Sequence, residues 1–296
     1  MNKYLIIINP VSGIKKSIEI ANNIKPKLKS NNIIFDCLTT NHKGHAIQYI
    51  TNVDKNKYQS IIAIGGDGTY HEIINGILNR EDDYNPILGF IPAGSGNSLM
   101  HDLNCLDPNE AIDRILKQNN KKLDIMELKF KHKTEYAFNI LGWGLATDIG
   151  ILAEKIRWIG PTRYTLASLI YILKLNKRFA TTYIDDIQHS NHFIFILICN
   201  TIYTGNGMMA APEAKVDDGL LDIIILNKAI SRFQLLKLLP TLFKGEHVKS
   251  PYVDYRKAKK IKLNPKKNEI LNIDGEIKNY TPVTIKVLKH RINIYA

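Results

Sequence analysis

Short apolar runs recur through the first 120 residues, each followed by a loop of Gly or small polar residues and then by a stretch with apolar spacing of three or four. That alternation predicts an α/β domain. Tyr4 to Ile8 leads into Asn9-Pro-Val-Ser-Gly13 and a helix carrying Ile18, Ala21, Ile24 and Leu28 on one side, with Pro26 expected to bend or shorten it. Ile33 to Thr40 is followed by Asn41 to Gly44 and a helix through Ile50. Ile61 to Ile64 precedes Gly65-Gly-Asp-Gly-Thr69, and Ile87 to Ile91 precedes Pro92-Ala-Gly-Ser-Gly-Asn97 and a further helix. If these four strands are parallel, their loops emerge at one sheet edge, where open α/β folds bind ligands.

After a helix at Pro108 to Gln118 the pattern turns to β runs: Leu123 to Phe130, Thr134 to Leu141, Phe179 to Asp185, His192 to Cys199, Leu220 to Leu226, Ala258 to Leu263, Ile270 to Ile273 and Pro282 to Leu288. These predict a mostly β second domain, placing the boundary at 1–122 and 123–296. Two helical insertions interrupt it, Ile149 to Asn176 with a break near Gly160-Pro161, and Ser231 to Phe243 with a break at Pro240. The first is rich in Leu166, Leu169, Ile170, Ile172, Leu173 and Leu175, a stripe that suits either core or the lining of a greasy pocket.

A length of 296 residues agrees with two domains, and 45% hydrophobic content excludes disorder. Cys37, Cys105 and Cys199 are too scattered for a zinc site or a disulfide framework, which points to a reducing cytoplasm. The five apolar residues after Lys3 fall short of a signal-peptide core, and no window approaches the roughly 18 apolar residues of a membrane span. A net charge of +12 attracts phosphate-rich partners without choosing among them. Aromatic residues are not interleaved with Lys and Arg on a recognisable platform, so nucleic acid is not the expected partner.

The loop after the third strand is the most chemically informative segment. Gly65, Gly66 and Gly68 permit close backbone approach, while Thr69 and the helix behind it aim N–H groups and a positive dipole end at an anion. Asp67 is the unusual element. A carboxylate beside phosphates repels them unless it holds a metal or takes a proton from an incoming hydroxyl, so the loop indicates phosphoryl transfer. Neither a Walker-type lysine loop, nor a protein-kinase motif set, nor a dinucleotide glycine fingerprint is present. Asp217-Asp-Gly-Leu-Leu-Asp222 and Asp274-Gly-Glu276 each read as a turn beside a strand. Together with Asp67 they form a candidate carboxylate set for Mg²⁺, which needs few protein oxygens when phosphates and water supply the rest.

Asn9-Pro-x-Ser-Gly13, Gly65-Gly-Asp-Gly-Thr69 with His71-Glu-Ile-Ile-Asn-Gly76, Pro92-x-Gly-Ser-Gly-Asn97, Gly142-Trp-Gly144, Asp218-Gly-Leu-Leu-Asp222 and Asp274-Gly-Glu276 occur in the order seen in the diacylglycerol and sphingosine kinase superfamily. The chain resembles these lipid kinases over essentially its whole length. The spacing is closest to the sphingosine kinases, in which Glu154-Lys-x-Arg157 and Gly160-x-x-Arg163 follow Trp143-Gly144. The resemblance implies an open, Rossmann-like sheet of the NAD-kinase and diacylglycerol-kinase type, followed by a β sandwich with helical insertions, and an active site between the two domains. It implies an ATP- and Mg²⁺-dependent transfer of the γ-phosphate to a lipid hydroxyl, with Asp67 as base.

By the same resemblance Asn9, Ser12, Thr40, Gly66, Gly68, Thr69, Glu72, Gly94, Ser95, Gly96 and Asn97 lie along ATP. Arg157, Arg163, Gly275 and Glu276 reach it from the second domain, and Asp67 with Asp218 approach the metal. Asp148 matches the first of two acids that follow Trp-Gly in sphingosine kinases, but Gly150 replaces the second, which contacts the sphingoid head group. The acceptor is therefore open between a diacylglycerol-type lipid and a long-chain base. Asp148, Leu166, Leu169, Ile170 and Leu173 are its expected contacts. Lys155, Arg157, Arg163, Lys174, Lys177 and Arg178 are expected to rest on an anionic membrane, making the protein a cytoplasmic, peripheral one. A NAD kinase-like soluble-alcohol kinase would label only water-soluble acceptors, and a non-catalytic sensor would bind ATP without labelling any lipid.

Overall fold

A computed structural model describes residues 3–205, 207–227 and 229–296; the side chains of Ile14, Lys15, Arg157 and Pro161 lie outside that description. The chain forms two compact units, residues 1–125 with 289–296, and residues 126–288. The expected boundary at 122/123 is close to the first division. The return of 289–296 to the first unit is new.

The first unit alternates strands and helices: β1 (Lys3–Ile8), α1 (Lys16–Ser30), β2 (Ile34–Thr39), α2 (His45–Asn52), β3 (Ser60–Gly65), α3 (Asp67–Leu78), β4 (Ile87–Pro92), α4 (Ser98–Asp102), α5 (Pro108–Lys117) and β5 (Asn120–Lys129), the last continuing past residue 125. Strands β2, β1, β3 and β4 lie side by side in that order, all parallel. Every residue of β3 is buried, the pattern of a strand covered on both faces. Helix α1 buries Ala21, Ile24 and Leu28, and Pro26 does not end it; the helix runs on to Ser30. Asp107 caps α5 by accepting from the Asn109 amide at 2.9 Å, with Pro108 at the first helical position.

The second unit contains β6 (Thr134–Ala137), β7 (Ile140–Gly144), α6 (Leu145–Lys155), α7 (Arg163–Lys174), β8 (Arg178–Ile184), β9 (Ile187–Cys199), the two-residue β10 (Tyr203–Thr204) and β11 (Met208–Met209), and β12 (Leu221–Asn227). Then come α8 (Arg232–Leu238), β13 (Val253–Ala258), β14 (Lys260–Pro265), β15 (Ile270–Ile273), β16 (Glu276–Tyr280) and β17 (Val283–Tyr295). Its pairings are antiparallel, and alternate residues of β7, β9, β12, β14, β15 and β17 converge on one core that includes Trp143, Ile196, Ile198, Ile223, Leu263 and Ile285. The helices α6 to α8 pack a separate cluster, Leu145, Ile172, Ile194, Leu226, Ile230 and Leu235, against β9 and β12.

Two expected strands divide. The run Thr134 to Leu141 breaks because the buried carboxylate of Asp274 accepts the amides of Phe138, Asn139 and Ile140 at 3.1, 2.9 and 3.0 Å. No neighbouring strand can then take them. The run Ala258 to Leu263 divides at Lys259, Ala258 ending β13 and Lys260 opening β14, because Asp185 accepts the amides of Lys259 and Lys260 at 3.0 and 2.9 Å.

Candidate active site

Parallel pairing of β1, β2, β3 and β4 brings the loops after them to one edge of the first unit. Three of these loops touch. Gly13 has φ +54°, and a Cβ there would sit 1.9 Å from the Ala93 carbonyl oxygen. A Cβ on Gly94 would lie 2.5 Å from Gly66 Cα, and one on Gly66 would lie 2.9 Å from Gly94 Cα and 3.7 Å from Ser12 Oγ. Glycine is required here by approach of backbone to backbone.

Side chains tie the same loops together. Asn9 donates through Nδ2 to Thr69 Oγ1 at 3.0 Å, while its Oδ1 accepts the Val11 amide at 3.2 Å. The Ser12 hydroxyl donates to the Ala93 carbonyl at 3.2 Å. Asn97, itself at φ 49°, folds its loop into a ring by accepting from the Gly94 amide at 3.0 Å and donating to the Gly94 carbonyl at 2.9 Å. Thr40 stays beside them, its amide bound to the Ile8 carbonyl at 2.9 Å.

Asp67 opens α3, where the helix N-terminus favours negative charge. Its Oδ2 accepts both the amide and the hydroxyl of Ser98, at 3.1 and 3.2 Å. Ser98 is buried and fixes the carboxylate's direction. It was not among the residues expected from sequence; its only signal is its place directly after Gly-Ser-Gly-Asn97. On the α1 side of the same loops lies an open depression of about 510 Å³, lined by Gly13, Lys16, Glu19, Ile20, Asn23, Pro92, Ala93, Gly94, Ser95 and Pro108.

Glu72 bridges two elements. Its two oxygens accept the amides of Gly44 and Ala46 at 2.8 and 3.2 Å, so it secures the start of α2. This use follows from its position one turn into α3, facing the free amides of the neighbouring helix.

In the second unit, Asp148 is bound by Arg178, whose Nη2 lies 2.7 Å from Asp148 Oδ2 and whose Nε lies 2.7 Å from Glu269 Oε2. Two carboxylates thus draw Arg178 inward from its lysine-rich surroundings. Burial pushes the Glu269 carboxyl up, Arg178 pulls it down, and Asp148 pushes it up again. Position 150 is pressed against β15 and β16, where a Cβ would meet Ile277 Cδ1 at 3.2 Å and Asn272 Nδ2 at 3.5 Å.

Leu166, Leu169 and Leu173 do not line an enclosed cavity: they are exposed on the outer side of α7, and Ile170 is half-buried. Arg163 lies 3.6 Å from Glu154 and over the Tyr164 ring, and its buried Nε has no hydrogen-bond partner. Arg157's side chain lies outside the described residues. Glu276 pairs with Lys278 at 3.0 Å, and Gly275, at φ +90°, donates its amide to Asn272.

Asp218 accepts the Leu220 amide at 2.9 Å and lies 3.7 Å from Lys257 Nζ. Asp222 is buried, bound by Tyr255 at 2.5 Å and Lys257 at 3.3 Å, and burial pushes its carboxyl up. Among the described residues no three His, Cys, Asp or Glu side chains gather as a metal-holding group. A turn amide and a lysine thus already engage Asp218.

Residues 3–128 match the diacylglycerol kinase catalytic domain, and residues 140–296 match the YegS C-terminal NAD kinase beta sandwich-like domain. Sphingosine kinase 1 of Arabidopsis thaliana is 29% identical over 333 residues, covering 93% of this chain and 68% of its own. The diacylglycerol kinase of Staphylococcus saprophyticus subsp. saprophyticus is 29% identical over 295 residues, covering 98% and 94%. A solved structure from Bacillus anthracis str. Sterne has a TM-score of 0.83 at 24% identity, covering 99% of this chain and 97% of that one. A diacylglycerol kinase structure from the same strain has a TM-score of 0.75 at 22% identity, covering 99% and 96%. These structural likenesses carry the fold.

Proposed function

Because the chain belongs to the diacylglycerol kinase and sphingosine kinase superfamily of lipid kinases, we propose that it transfers the γ-phosphate of ATP to the hydroxyl of a lipid. The observation that carries this is the packing of three glycine loops around a carboxylate at a helix start. Backbone amides of the 66–68 and 95–97 stretches form the anion-binding part, and the adjoining depression has the size of ligand pockets. Asp67, oriented by Ser98, holds the acceptor hydroxyl in line with the γ-phosphorus.

As the acceptor oxygen bonds to phosphorus, the bridging oxygen leaves with ADP and the hydroxyl proton passes to Asp67. In so loose a transition state most of the gain comes from positioning and charge stabilisation. A divalent cation carried in with the triphosphate would neutralise part of its charge.

Among lipid alcohols the reading favours a neutral, diacylglycerol-type acceptor. An amine-bearing head group needs a carboxylate partner, and here Asp148 is neutralised by Arg178 while position 150 is glycine.

The test is Asp67→Asn with labelled ATP and mixed lipid extracts, the product being identified by mass. We expect turnover to fall about 10²- to 10⁴-fold, the usual worth of a positioned base, with thermal stability unchanged. Wild-type turnover in that variant would remove Asp67 from the mechanism. Labelling of a long-chain base in preference to diacylglycerol would overturn the acceptor assignment alone.

A further inference from the structure

The stretch 95–97, which the reading above gives to the phosphates, is fastened at both ends. At its start the Gly94 amide donates to Asn97 Oδ1 at 3.0 Å, and the Gly94 carbonyl accepts from Asn97 Nδ2 at 2.9 Å. At its end the amide and the hydroxyl of Ser98 both reach Asp67 Oδ2, at 3.1 and 3.2 Å. The chain makes that last turn through Asn97, whose φ of 49° and ψ of 43° are left-handed, a region that Asn enters more readily than most side-chain-bearing residues. Beneath the loop the Ala93 amide donates to the Gly65 carbonyl at 2.7 Å, and the buried Leu99 and Met100 seat the start of α4.

The direction of the carboxylate follows from this fastening. The last torsion of an Asp side chain is broad and two-fold, so Asp67 does not orient itself; its hydrogen-bond donors do. Two of those donors belong to one residue and meet on one oxygen, so a displacement of Ser98 withdraws both at once. Bonds to an ionised oxygen are also the strong ones. Ser98 follows Asn97 directly in the chain, and Asn97 therefore acts on the carboxylate through it. The link runs in both directions, because Asp67 anchors the far end of the stretch whose near end Asn97 closes.

We infer that Asn97 is a positioning residue for the transfer step. By closing residues 94–97 on themselves it keeps Ser98 on Asp67, so that the phosphate stretch and the base form one mechanical unit. This rests on the reading of Asp67 as the base and of the glycine loops as the phosphate site, and goes beyond it by giving a loop residue a part in the chemical step.

The test compares Asn97→Gly, which keeps the left-handed turn but removes both bonds to Gly94, with Ser98→Ala and its conservative counterpart Ser98→Thr. Asn97→Gly and Ser98→Ala are also combined with Asp67→Asn. At saturating ATP, with the lipid that the intact protein labels, Asn97→Gly and Ser98→Ala each lower kcat about tenfold, the worth of one hydrogen bond to a charged group. The KM for the acceptor stays within about twofold, since the loss falls on the transition state. Ser98→Thr, which retains the hydroxyl, recovers most of the turnover. In the Asp67→Asn background neither substitution lowers the residual turnover further, because the group they position is gone. Hydrogen exchange supplies a readout that needs no turnover: Asp67→Ala, which removes the anchor, speeds exchange across residues 93–98 as Asn97→Gly does, by the reciprocity of coupling. Loss of ATP affinity alone in Asn97→Gly at unchanged kcat, or a tenfold loss that persists on top of Asp67→Asn, overturns the inference and leaves the base in place. Full turnover in Asp67→Asn removes the base reading instead. If the intact protein labels no lipid, the kinase reading falls, and unchanged exchange across 93–98 in Asp67→Ala overturns the coupling separately.

Discussion

Gly13, Gly66 and Gly94 show how little room the loop edge of the first unit leaves. Replacing Gly13 with Ala puts a methyl 1.9 Å from the Ala93 carbonyl oxygen in a left-handed backbone, so the 9–13 and 93–97 loops must separate. We expect Gly13→Ala to cost about 1–3 kcal/mol of stability, read by denaturant titration, and to weaken ATP binding at least tenfold by calorimetry. Gly68, where a Cβ would meet nothing within 4 Å, provides the control: Gly68→Ala leaves stability within about 0.5 kcal/mol. The glycines were readable as loop residues from their place after apolar strands. Which of them is compulsory was not, because that depends on a second loop about 80 positions away in sequence and touching in space.

At the level of elements, Asp274 decides where β6 stops and β7 starts. Its carboxylate holds three amides across 134 to 136 residues of sequence, inside the core. Asp274→Ala strands those donors, each worth about 1–3 kcal/mol when buried, and we expect at least about 3 kcal/mol of destabilisation in a urea titration. Asp274→Asn, which retains one acceptor oxygen, should fall between. Sequence alone made the parallel strands of the first unit legible, since burial on both faces leaves an unbroken apolar run such as Ile61 to Ile64. It could not show the break at Phe138, because the cause lies in the Asp-Gly turn of residues 274 and 275. The α7 leucines illustrate a different limit. Their three-and-four spacing announces an apolar face, yet nothing in that spacing says whether protein or lipid covers it. Arg178 failed for the same reason: among lysines it reads as surface, and only Asp148 and Glu269 reveal it as an internal clamp.

For the molecule as a whole, the division into two units is uneven in chain order. The first unit is completed by residues 289–296, among which Ile292 and Ile294 are fully buried and Ile294 pairs with Leu88 of β4. The Tyr295 hydroxyl lies 3.2 Å from that of Tyr4 and 2.8 Å from Ser60 Oγ, and burial pushes it well above the ordinary phenol range. Removing 289–296 forfeits about 1.5–3 kcal/mol for each of these large side chains, a major part of the roughly 5–15 kcal/mol that holds a domain together. We expect such a truncation to leave residues 1–125 susceptible to limited proteolysis under conditions in which the intact protein resists. A truncation as resistant as the intact chain would show that the returning segment is dispensable.

The same return imposes an order on biosynthesis. On the ribosome, residues 1–125 emerge first but must wait through the making of 126–288 before their closing segment appears, so the first unit cannot finish folding ahead of its neighbour.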